Sequence, residues 1–194
     1  EEKQAVLAAY GVLQGQKVIG MAARLEAVKD HDTFLHAAAR VCEKRKDVTF
    51  LVIGDGSRRE WLESEAVRMG IADRVRFTGF VTEVERLEAA LDVAVMTSKE
   101  EALCLSLIEA MSAGVPVIGT DSGGISEVVR HGETGYLIPV GDEEQLADRI
   151  LELLSEEARR LQMGQKAMAW TREMFRAEQM AAKMEKLYLE AERR

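Results

Sequence analysis

Short apolar runs alternate with longer amphipathic segments along most of the chain, and this alternation constrains the fold more than any other feature. The first run is Lys17–Met21, and apolar residues at helical spacing follow it over Thr33–Lys44. Strands that are apolar along their whole length and alternate with helices form parallel sheets covered on both faces. The pattern therefore predicts an α/β fold, a single doubly wound Rossmann-like domain with about six parallel strands. The five further predicted strands are Thr49–Ile53, Val75–Thr78, Val93–Met96, Val117–Gly119 and Tyr136–Ile138.

Capping residues and glycines mark the predicted helix ends. Ser57 would cap a helix that turns Trp61 inward and ends at Gly70. Asp142 would cap another helix that runs to about Ser155. These assignments place a helix after the second strand and another after the sixth, as a doubly wound fold requires.

The two ends of the chain carry separate expectations. The chain begins at Glu1 without a Met and enters its first predicted strand almost at once, which we interpret as the start of an excised domain. From Glu156 onward the pattern is helical, and we expect breaks near Gly164 and around Thr171. The sequence thus predicts a helical C-terminal extension after the last strand.

Charge and composition disfavour several classes of function. The chain carries 34 Asp and Glu residues against 26 Lys and Arg, a net charge of −8, which repels a nucleic-acid backbone. No apolar run approaches the roughly 20 residues that span a bilayer, and no signal peptide is visible. Cys42, Cys104 and three scattered histidines form no metal-ligand spacing. We therefore predict a cytoplasmic protein that binds no nucleic acid, contains no transmembrane segment and has no metal site.

Loops at the carboxyl ends of the strands are where ligands bind in doubly wound folds. Arg24 and Lys29 follow the first strand, and two cations in one loop either converge on an anion or lie solvated on the surface. Gly123 and Gly124 follow the fifth strand, where they permit close approach of a ligand or simply form a turn. These positions are candidates on residue type alone.

The glycines after the second strand invite a dinucleotide interpretation that the sequence does not support. Gly54 and Gly56 lie between a strand and a helix, but Arg59 stands where the third glycine of that fingerprint would be. Thr78-Gly79 also stands where an acid for the adenosine ribose is expected. A Rossmann-type oxidoreductase domain is therefore disfavoured, and a tight turn is the simpler explanation of the glycines.

Two glutamates flank the helix predicted after the fourth strand. A helix that begins near Cys104 presents free N–H groups and a positive dipole end to the strand-end crevice, which is a ready phosphate site. Glu101 precedes this helix, and Glu109 lies inside it among apolar residues. A carboxylate in such a setting requires a partner or a ligand hydroxyl unless it is an exposed charge on the helix face.

Taken in order, these loops resemble the C-terminal, donor-binding domain of the retaining glycosyltransferases of family 4, which have the GT-B fold. The match covers about 134 residues, Lys17 to Ile150, and the two glutamates separated by seven residues are Glu101 and Glu109. Its segments are VIGMAARLEAVKDHDTFLHAAA, FLVIGDGSRREWLESEAVRMGIADRVRFTGF, DVAVMTSKEEALCLSLIEAMSAGVPVIGTDSGGISEVV and HGETGYLIPVGDEEQLADRI.

The resemblance implies a role for each matching residue. The cations would neutralise the donor diphosphate without a metal or other cofactor, and the helix N-terminus would hold the phosphates. Glu109 would bind the ribose hydroxyls, Glu101 would reach the transferred sugar, and the stretch from Phe77 to Phe80 would contact the nucleobase. The implied catalytic residues are Glu101, Arg24 and Lys29, and the implied donor-binding residues are Arg24, Lys29, Gly54, Thr78, Gly79, Phe80, Glu101, Leu103, Cys104, Leu105 and Glu109.

One departure from the family pattern concerns the phosphate cradle. The family usually has Glu-Gly-Phe-Gly where this chain has Glu101-Ala102-Leu103-Cys104. Ala102 and Cys104 add a Cβ at both glycine positions, so the cradle must widen or use only ordinary φ values. The position of Cys104 at a helix N-terminus near cations would lower the pKa of its thiol and allow a redox or regulatory role, and the alternative is a simple tolerated substitution.

The resemblance also implies a domain arrangement. Residues 1–174 would form the nucleotide-sugar donor-binding domain, and residues 175–194 a helix that crosses to an N-terminal acceptor-binding domain of the same enzyme. UDP-sugars are the commonest donors in such families, and the intact enzyme can associate peripherally with a membrane. The isolated domain would bind nucleoside diphosphate and transfer no sugar. The alternative is a non-catalytic scaffold or binding domain of the same fold, which the altered Ala102–Cys104 stretch favours.

Overall fold

Six parallel strands form one sheet in a computed structural model that describes residues 2–175 and residue 188. The strand order is β3-β2-β1-β4-β5-β6, and helices cover both faces, so the predicted doubly wound α/β fold is confirmed. All six predicted strands exist and differ from the observed ones by two residues or fewer at either end. The observed strands are β1 Lys17–Ala22, β2 Val48–Ile53, β3 Val75–Gly79, β4 Val93–Met96, β5 Val117–Thr120 and β6 Gly135–Ile138.

Eight α-helices and one 3-10 turn, Ala27–Lys29, connect and flank these strands in the described residues. α2 packs on α3 and α7, while α5 packs on α4 and α8. None of the helices within the described ranges combines the length and the apolar character that a bilayer crossing needs. The helices are α1 Glu2–Ala8, α2 His31–Lys44, α3 Arg59–Arg68, α4 Val84–Glu88, α5 Leu105–Ser112, α6 Ile125–Val128, α7 Glu143–Ser155 and α8 Glu157–Met174.

The centre of the sheet is where the strand order changes direction. β1 pairs with β2 along its whole length, from Lys17↔Val48 to Ala22↔Ile53. On its other side β1 pairs with β4 only at Ile19↔Val93 and Gly20↔Ala94. The loops after β1 and β4 therefore lead to opposite faces and leave a crevice between them, which is the usual ligand position in open α/β sheets.

A helix precedes the first strand, which differs from the prediction that the chain enters β1 almost at once. α1 is only seven residues long, and Leu7 is its buried residue. Leu7 and Val12, in the turn that follows, belong to the main hydrophobic core. A helix this short is not stable from its own sequence, so its docking on the core explains both its formation and its absence from the prediction.

α8 runs without a break through Gly164, so the break predicted there is wrong, and the helix ends at Met174, three residues after the break predicted around Thr171. A Cβ placed on Gly164 would lie 2.0 Å from the carbonyl oxygen of Gly114, in the loop before β5. The glycine therefore permits close packing of α8 on this loop and does not interrupt the helix. The predicted crossing helix, residues 175–194, lies outside the described residues except for Phe175 and Tyr188.

Two further predictions about helix ends have different outcomes. Asp142 does cap α7, because its Oδ1 accepts a hydrogen bond of 2.9 Å from the Gln145 N–H. Ser57 does not cap α3, which begins at Arg59, because the Ser57 hydroxyl donates to Glu26 at 2.9 Å. The predicted inward position of Trp61 is also wrong, since 43% of its surface is exposed and Arg58 stacks on its ring.

Candidate functional site

The loops that follow β1 and β4 are joined to each other across the crevice. The Lys99 N–H donates to the Val28 carbonyl at 2.8 Å. The Thr97 hydroxyl lies within hydrogen-bond distance of two carbonyls, at 3.0 Å from Lys29 O and 2.9 Å from Asp30 O. Thr97 is completely buried, so these contacts fix the relative positions of the two loops that carry the predicted site residues.

Lys29 and Glu101 form an ion pair that bridges the two loops. Their Nζ and Oε2 atoms are 2.5 Å apart, and only 16% and 15% of the two side chains are exposed. The structure therefore brings together two residues that the sequence assigned to different parts of the donor. With this contact made, each charge is neutralised within the protein, and Lys29 does not act as a free cation.

A cavity of about 440 Å³ opens at the carboxyl ends of β1 and β2. Arg24 lines it and makes no ion pair with any of the described residues. The predicted site residues that line the cavity are Arg24, Gly54, Phe80 and Glu109, while Lys29, Thr78, Gly79, Glu101, Leu103, Cys104 and Leu105 do not. The remaining lining residues are Ala22, Ala23, Ile53, Asp55, Val81, Val84, Glu88 and Ser106.

The N-terminus of α5 lies at the edge of this cavity. The Leu105 N–H is used within the chain, because it donates to the Leu103 carbonyl at 3.1 Å. The N–H groups of Leu103, Cys104 and Ser106 have no carbonyl acceptor among the described residues. These free N–H groups and the helix dipole favour an anion at this position. Of the three amides predicted to hold phosphates, the one on Leu105 is therefore already hydrogen-bonded.

The two residues that replace the expected glycines adopt ordinary backbone conformations. Asp30 is the one non-glycine residue with positive φ in the described part of the chain, so Ala102 and Cys104 both have negative φ. Cys104 has φ −85° and is 2% exposed. Burial raises the pKa of its thiol, so the lowered pKa considered for a redox role is wrong. Cys104 is a buried part of the core.

Gly123 and Gly124 lie close to the chain's own backbone. A Cβ on Gly123 would be 2.1 Å from the Glu101 carbonyl oxygen, and one on Gly124 would be 1.9 Å from the Ala102 carbonyl oxygen. The Gly124 N–H also donates to the Glu101 carbonyl at 2.8 Å. The close approach predicted for these glycines is therefore made to the loop before α5. They act as the support that fixes this loop.

The stretch predicted to contact a nucleobase ends β3 beside β2. Gly79 has φ +70° and accepts a hydrogen bond of 3.1 Å from the Gly54 N–H. The Thr78 hydroxyl donates to the Gly79 carbonyl at 2.9 Å, so this hydrogen bond stays within β3. Gly54, with φ +131°, leaves room for the Ala23 carbonyl, which a Cβ would approach to 2.2 Å. Phe80 is different, because 82% of its surface is exposed at the mouth of the cavity.

Glu109 and Glu88 bring two carboxyl groups to the same cavity. Glu109 is exposed on α5, whereas Glu88, at the end of α4, is 2% exposed and its Oε2 has no hydrogen-bond partner in the described chain. Burial, together with the adjacent Glu109 carboxylate, raises the pKa of Glu88 to about 8.

Glu88 and Ser106 line the cavity but are not among the site residues predicted from the sequence. A signal for Glu88 existed, because it shares the helical spacing of Val84, Leu87 and Leu91 and therefore faces inward. No comparable pattern distinguishes Ser106. Within the described residues no three His, Cys, Asp or Glu side chains cluster as a metal site, and a donor site without metal stays a prediction.

Comparison with known proteins places the chain among glycosyltransferases. A model of the family "Glycosyl transferases group 1" matches residues 3–170. N-acetyl-alpha-D-glucosaminyl L-malate synthase of Bacillus anthracis is 35% identical over 179 residues, which cover 92% of this chain and 47% of that protein. The 2-deoxystreptamine glucosyltransferase of Streptomyces kanamyceticus is 35% identical over 147 residues, 75% of this chain and 38% of that protein.

Solved structures give the same result for the fold. The crystal structure of Anabaena HepE in complex with UDP superimposes with a TM-score of 0.88 at 26% identity, covering 95% of this chain and 52% of that one. The C-terminal domain of LpcC, a group 1 glycosyl transferase of Francisella tularensis, superimposes with a TM-score of 0.82 at 26% identity, covering 91% of this chain and 94% of that one. The chain thus spans about half the length of full-length relatives. The predicted resemblance to a C-terminal GT-B domain is confirmed, and the chain belongs to the glycosyl transferases of group 1.

Proposed function

We propose that the cavity between β1, β2, α4 and α5 binds the nucleoside diphosphate of a nucleotide-sugar donor, as the donor-binding half of a retaining glycosyltransferase. One observation carries this proposal. The cation Arg24, which has no ion-pair partner in the described part of the chain, the carboxylate of Glu109 and the first turn of α5, with Ser106, line a single cavity of about 440 Å³. A cavity of this size at a strand-end crevice suits one small ligand. These groups match the charge and hydroxyl pattern of a nucleoside diphosphate.

The diphosphate is the part of the donor for which the site supplies positive charge. In this proposal Arg24 and the free N–H groups at the start of α5 hold the phosphate oxygens. Transfer of the sugar leaves a nucleoside diphosphate with increased negative charge, and fixed donors aimed at that charge lower the barrier. Because the N–H groups are held by the loop packing on Gly123 and Gly124, they need little rearrangement when the charge develops.

Lys29 and Glu101 complete the donor site through an exchange of partners. Lys29 is paired with Glu101 in the protein alone. In our proposal the diphosphate takes over contact with Lys29, and Glu101 turns to the hydroxyls of the transferred sugar. Both side chains are long enough to change partner by rotamer changes, without movement of the loops that Thr97 holds together. Glu109 binds the ribose hydroxyls, and Phe80 lies beside the base.

UDP is the nucleotide that solved structures of similar proteins support. The Anabaena HepE structures that resemble this chain contain UDP in one case and UDP-glucose in another. The acceptor, by contrast, is bound in our proposal by an N-terminal domain of the same enzyme. We therefore expect this chain to bind UDP and to transfer no sugar by itself.

Calorimetric titration of the purified chain with UDP, GDP and ADP tests the donor site. We expect UDP to bind, and we expect Glu109→Ala to weaken binding about tenfold or more, because the ribose loses hydrogen bonds to a charged acceptor. The matched control is Glu127→Ala, an exposed glutamate on α6 that does not line the cavity, which leaves binding unchanged. Binding that is equal in both variants would contradict the ribose assignment. No binding of any of the three nucleotides would instead favour the non-catalytic alternative.

A second assay tests whether the chain transfers sugar without an N-terminal domain. Incubation of the chain with UDP-glucose and a mixture of small sugar acceptors is expected to give no glycosylated product. Robust transfer by the chain alone would show that it holds an acceptor site of its own and would refute this part of the proposal.

A further inference from the structure

Glu88 is a buried acid that lines the cavity and has no role in the donor site as proposed above. Its side chain reaches the cavity from the last residue of α4, next to the apolar side chains of Val81 and Val84. Only 2% of its surface is exposed, and its Oε2 has no hydrogen-bond partner in the described residues. A carboxylate without a partner in such a position would cost several kcal/mol, so the group must keep a proton or find a cation.

Another acid lines the same cavity as Glu88. Glu109 stands on the facing helix α5 and is the main charge that acts on Glu88, with Glu85 of the same helix contributing less. The other charged residues around this cavity are Arg24 and Asp55 in the loops after β1 and β2. On the far side of α4, the charged residues of α1 are turned to other partners, Glu2 to Arg86 and Lys3 to Asp92, both at 3.4 Å.

Two carboxyl groups in contact form a hydrogen bond only if one of them carries a proton. The more buried of the two keeps it, because burial disfavours the charged form. Glu88 is the buried member of the pair, and Glu109 is exposed. The difference in burial therefore makes Glu88 the donor and Glu109 the acceptor, and the second oxygen of the exposed Glu109 stays available to other hydrogen-bond donors.

We propose that Glu88 is a positioning residue that donates its proton to Glu109 and holds this carboxylate as an anionic acceptor for the donor's ribose hydroxyls. The inference rests on the proposed function and adds a residue to it. Ionisation of Glu88 would replace this hydrogen bond by repulsion between two carboxylates, and the orientation of Glu109 would be lost. Because the pKa of Glu88 is raised to about 8, affinity for the nucleotide should fall as the pH rises through that value.

The test compares UDP dissociation constants from pH 6.5 to 9.5 in three variants of the chain and the unaltered protein. Glu88→Gln keeps an uncharged donor at every pH, Glu88→Leu removes the donor, and Glu85→Gln removes an exposed charge from the same helix. Comparison of variants at the same pH cancels the titration of UDP itself. We expect the unaltered protein and Glu85→Gln to lose affinity about tenfold between pH 7 and 9.5 relative to Glu88→Gln. Glu88→Leu should bind about tenfold more weakly at pH 7 and show no such pH dependence.

A measurement without nucleotide tests the interaction between Glu88 and Glu109 independently of UDP binding. Carboxyl-carbon NMR of the glutamate-labelled protein should show one signal that titrates near pH 8, that is absent in Glu88→Gln, and that titrates lower in Glu109→Gln. Equal pH profiles of the unaltered protein and Glu88→Gln, with UDP bound by both, would overturn the inference and leave the donor site standing. Failure of UDP to bind any of the proteins would overturn both the donor site and the role of Glu88 in it.

Discussion

Replacement of Gly124 by alanine tests whether the backbone before α5 is the phosphate site. Gly124 has φ −67°, which alanine adopts freely, so the substitution adds no backbone strain at its own position. The added Cβ would instead lie 1.9 Å from the Ala102 carbonyl oxygen and 3.2 Å from the Leu103 Cα. Both atoms belong to the loop that presents the free N–H groups.

The magnitude of the effect follows from this distance. Real Cβ atoms stay beyond about 3.0 Å from such neighbours, so the two loops must separate by roughly 1 Å. Overpacking of this kind typically costs about 1–3 kcal/mol, which lowers the Tm of a chain of this size by about 2–10 °C. A displacement of about 1 Å in a group that positions a reacting ligand costs up to about 100-fold, and we expect UDP affinity to fall by about 10- to 100-fold.

Gly164→Ala is a matched control that separates loss of stability from loss of the site. Its Cβ would also lie about 2 Å from a carbonyl oxygen, that of Gly114, but this contact is at the amino end of β5. Both variants should therefore be destabilised, while only Gly124→Ala should bind UDP weakly by calorimetry at a temperature where both are folded. Equal UDP affinities in the two folded variants would refute the assignment of phosphates to the loop before α5.

Three further substitutions have distinct readouts. Lys29→Met leaves the Glu101 carboxylate without its partner, and we expect UDP affinity to fall about tenfold or more, with a weaker salt dependence, in calorimetric titrations. Arg160→Met removes the arginine of a buried ion pair with Asp92, and urea unfolding should show a loss of about 3 kcal/mol. Burial lowers the pKa of His31 from 6.5 to about 4, so the folded protein binds fewer protons than the unfolded chain between these values. Stability is therefore lost as the pH falls through this window, by up to about 3 kcal/mol, and His31→Leu should abolish that loss in urea unfolding at pH 4 to 7.

Features that depend on local sequence were predictable. Strands β2, β4 and β5 are short runs that are buried along their whole length, and such runs form strands wherever helices cover the sheet. Asp142 caps α7 through its own side chain and the N–H of a residue three positions ahead, so nothing outside the segment is needed. The order of the loop motifs along the chain is also visible without any tertiary structure, and it indicated the family.

Features that depend on distant partners were not predictable from the pattern. A glycine at position 164 indicates a helix break when only its neighbours are considered, but Gly114, 50 residues away in sequence, makes it a packing position. Gly123 and Gly124 suggested room for a ligand, and the backbone of Glu101 and Ala102 occupies that room. In each case the residue type signalled close approach correctly, while the identity of the approaching group depended on tertiary structure.

The arrangement of charge explains how an acidic chain can hold an anionic ligand at all. The chain has a net charge of −8, and long-range attraction therefore does not favour a diphosphate. Within the site, Glu101 neutralises Lys29 and a proton on Glu88 removes one of the two negative charges beside Glu109. The charge left to face a ligand is that of Arg24 and the N-terminus of α5 against Glu109 and Asp55, and Asp55 is itself paired with Arg59 at 3.5 Å. Binding then depends on short-range contacts and on the release of Lys29 from Glu101.

It follows that a second group which draws Glu101 away from Lys29, such as the hydroxyls of the transferred sugar, should strengthen binding of the diphosphate. We expect UDP-glucose to bind more tightly than UDP in the unaltered protein, and this difference should disappear in Glu101→Gln, whereas an equal difference in both proteins would show that Glu101 does not contact the sugar.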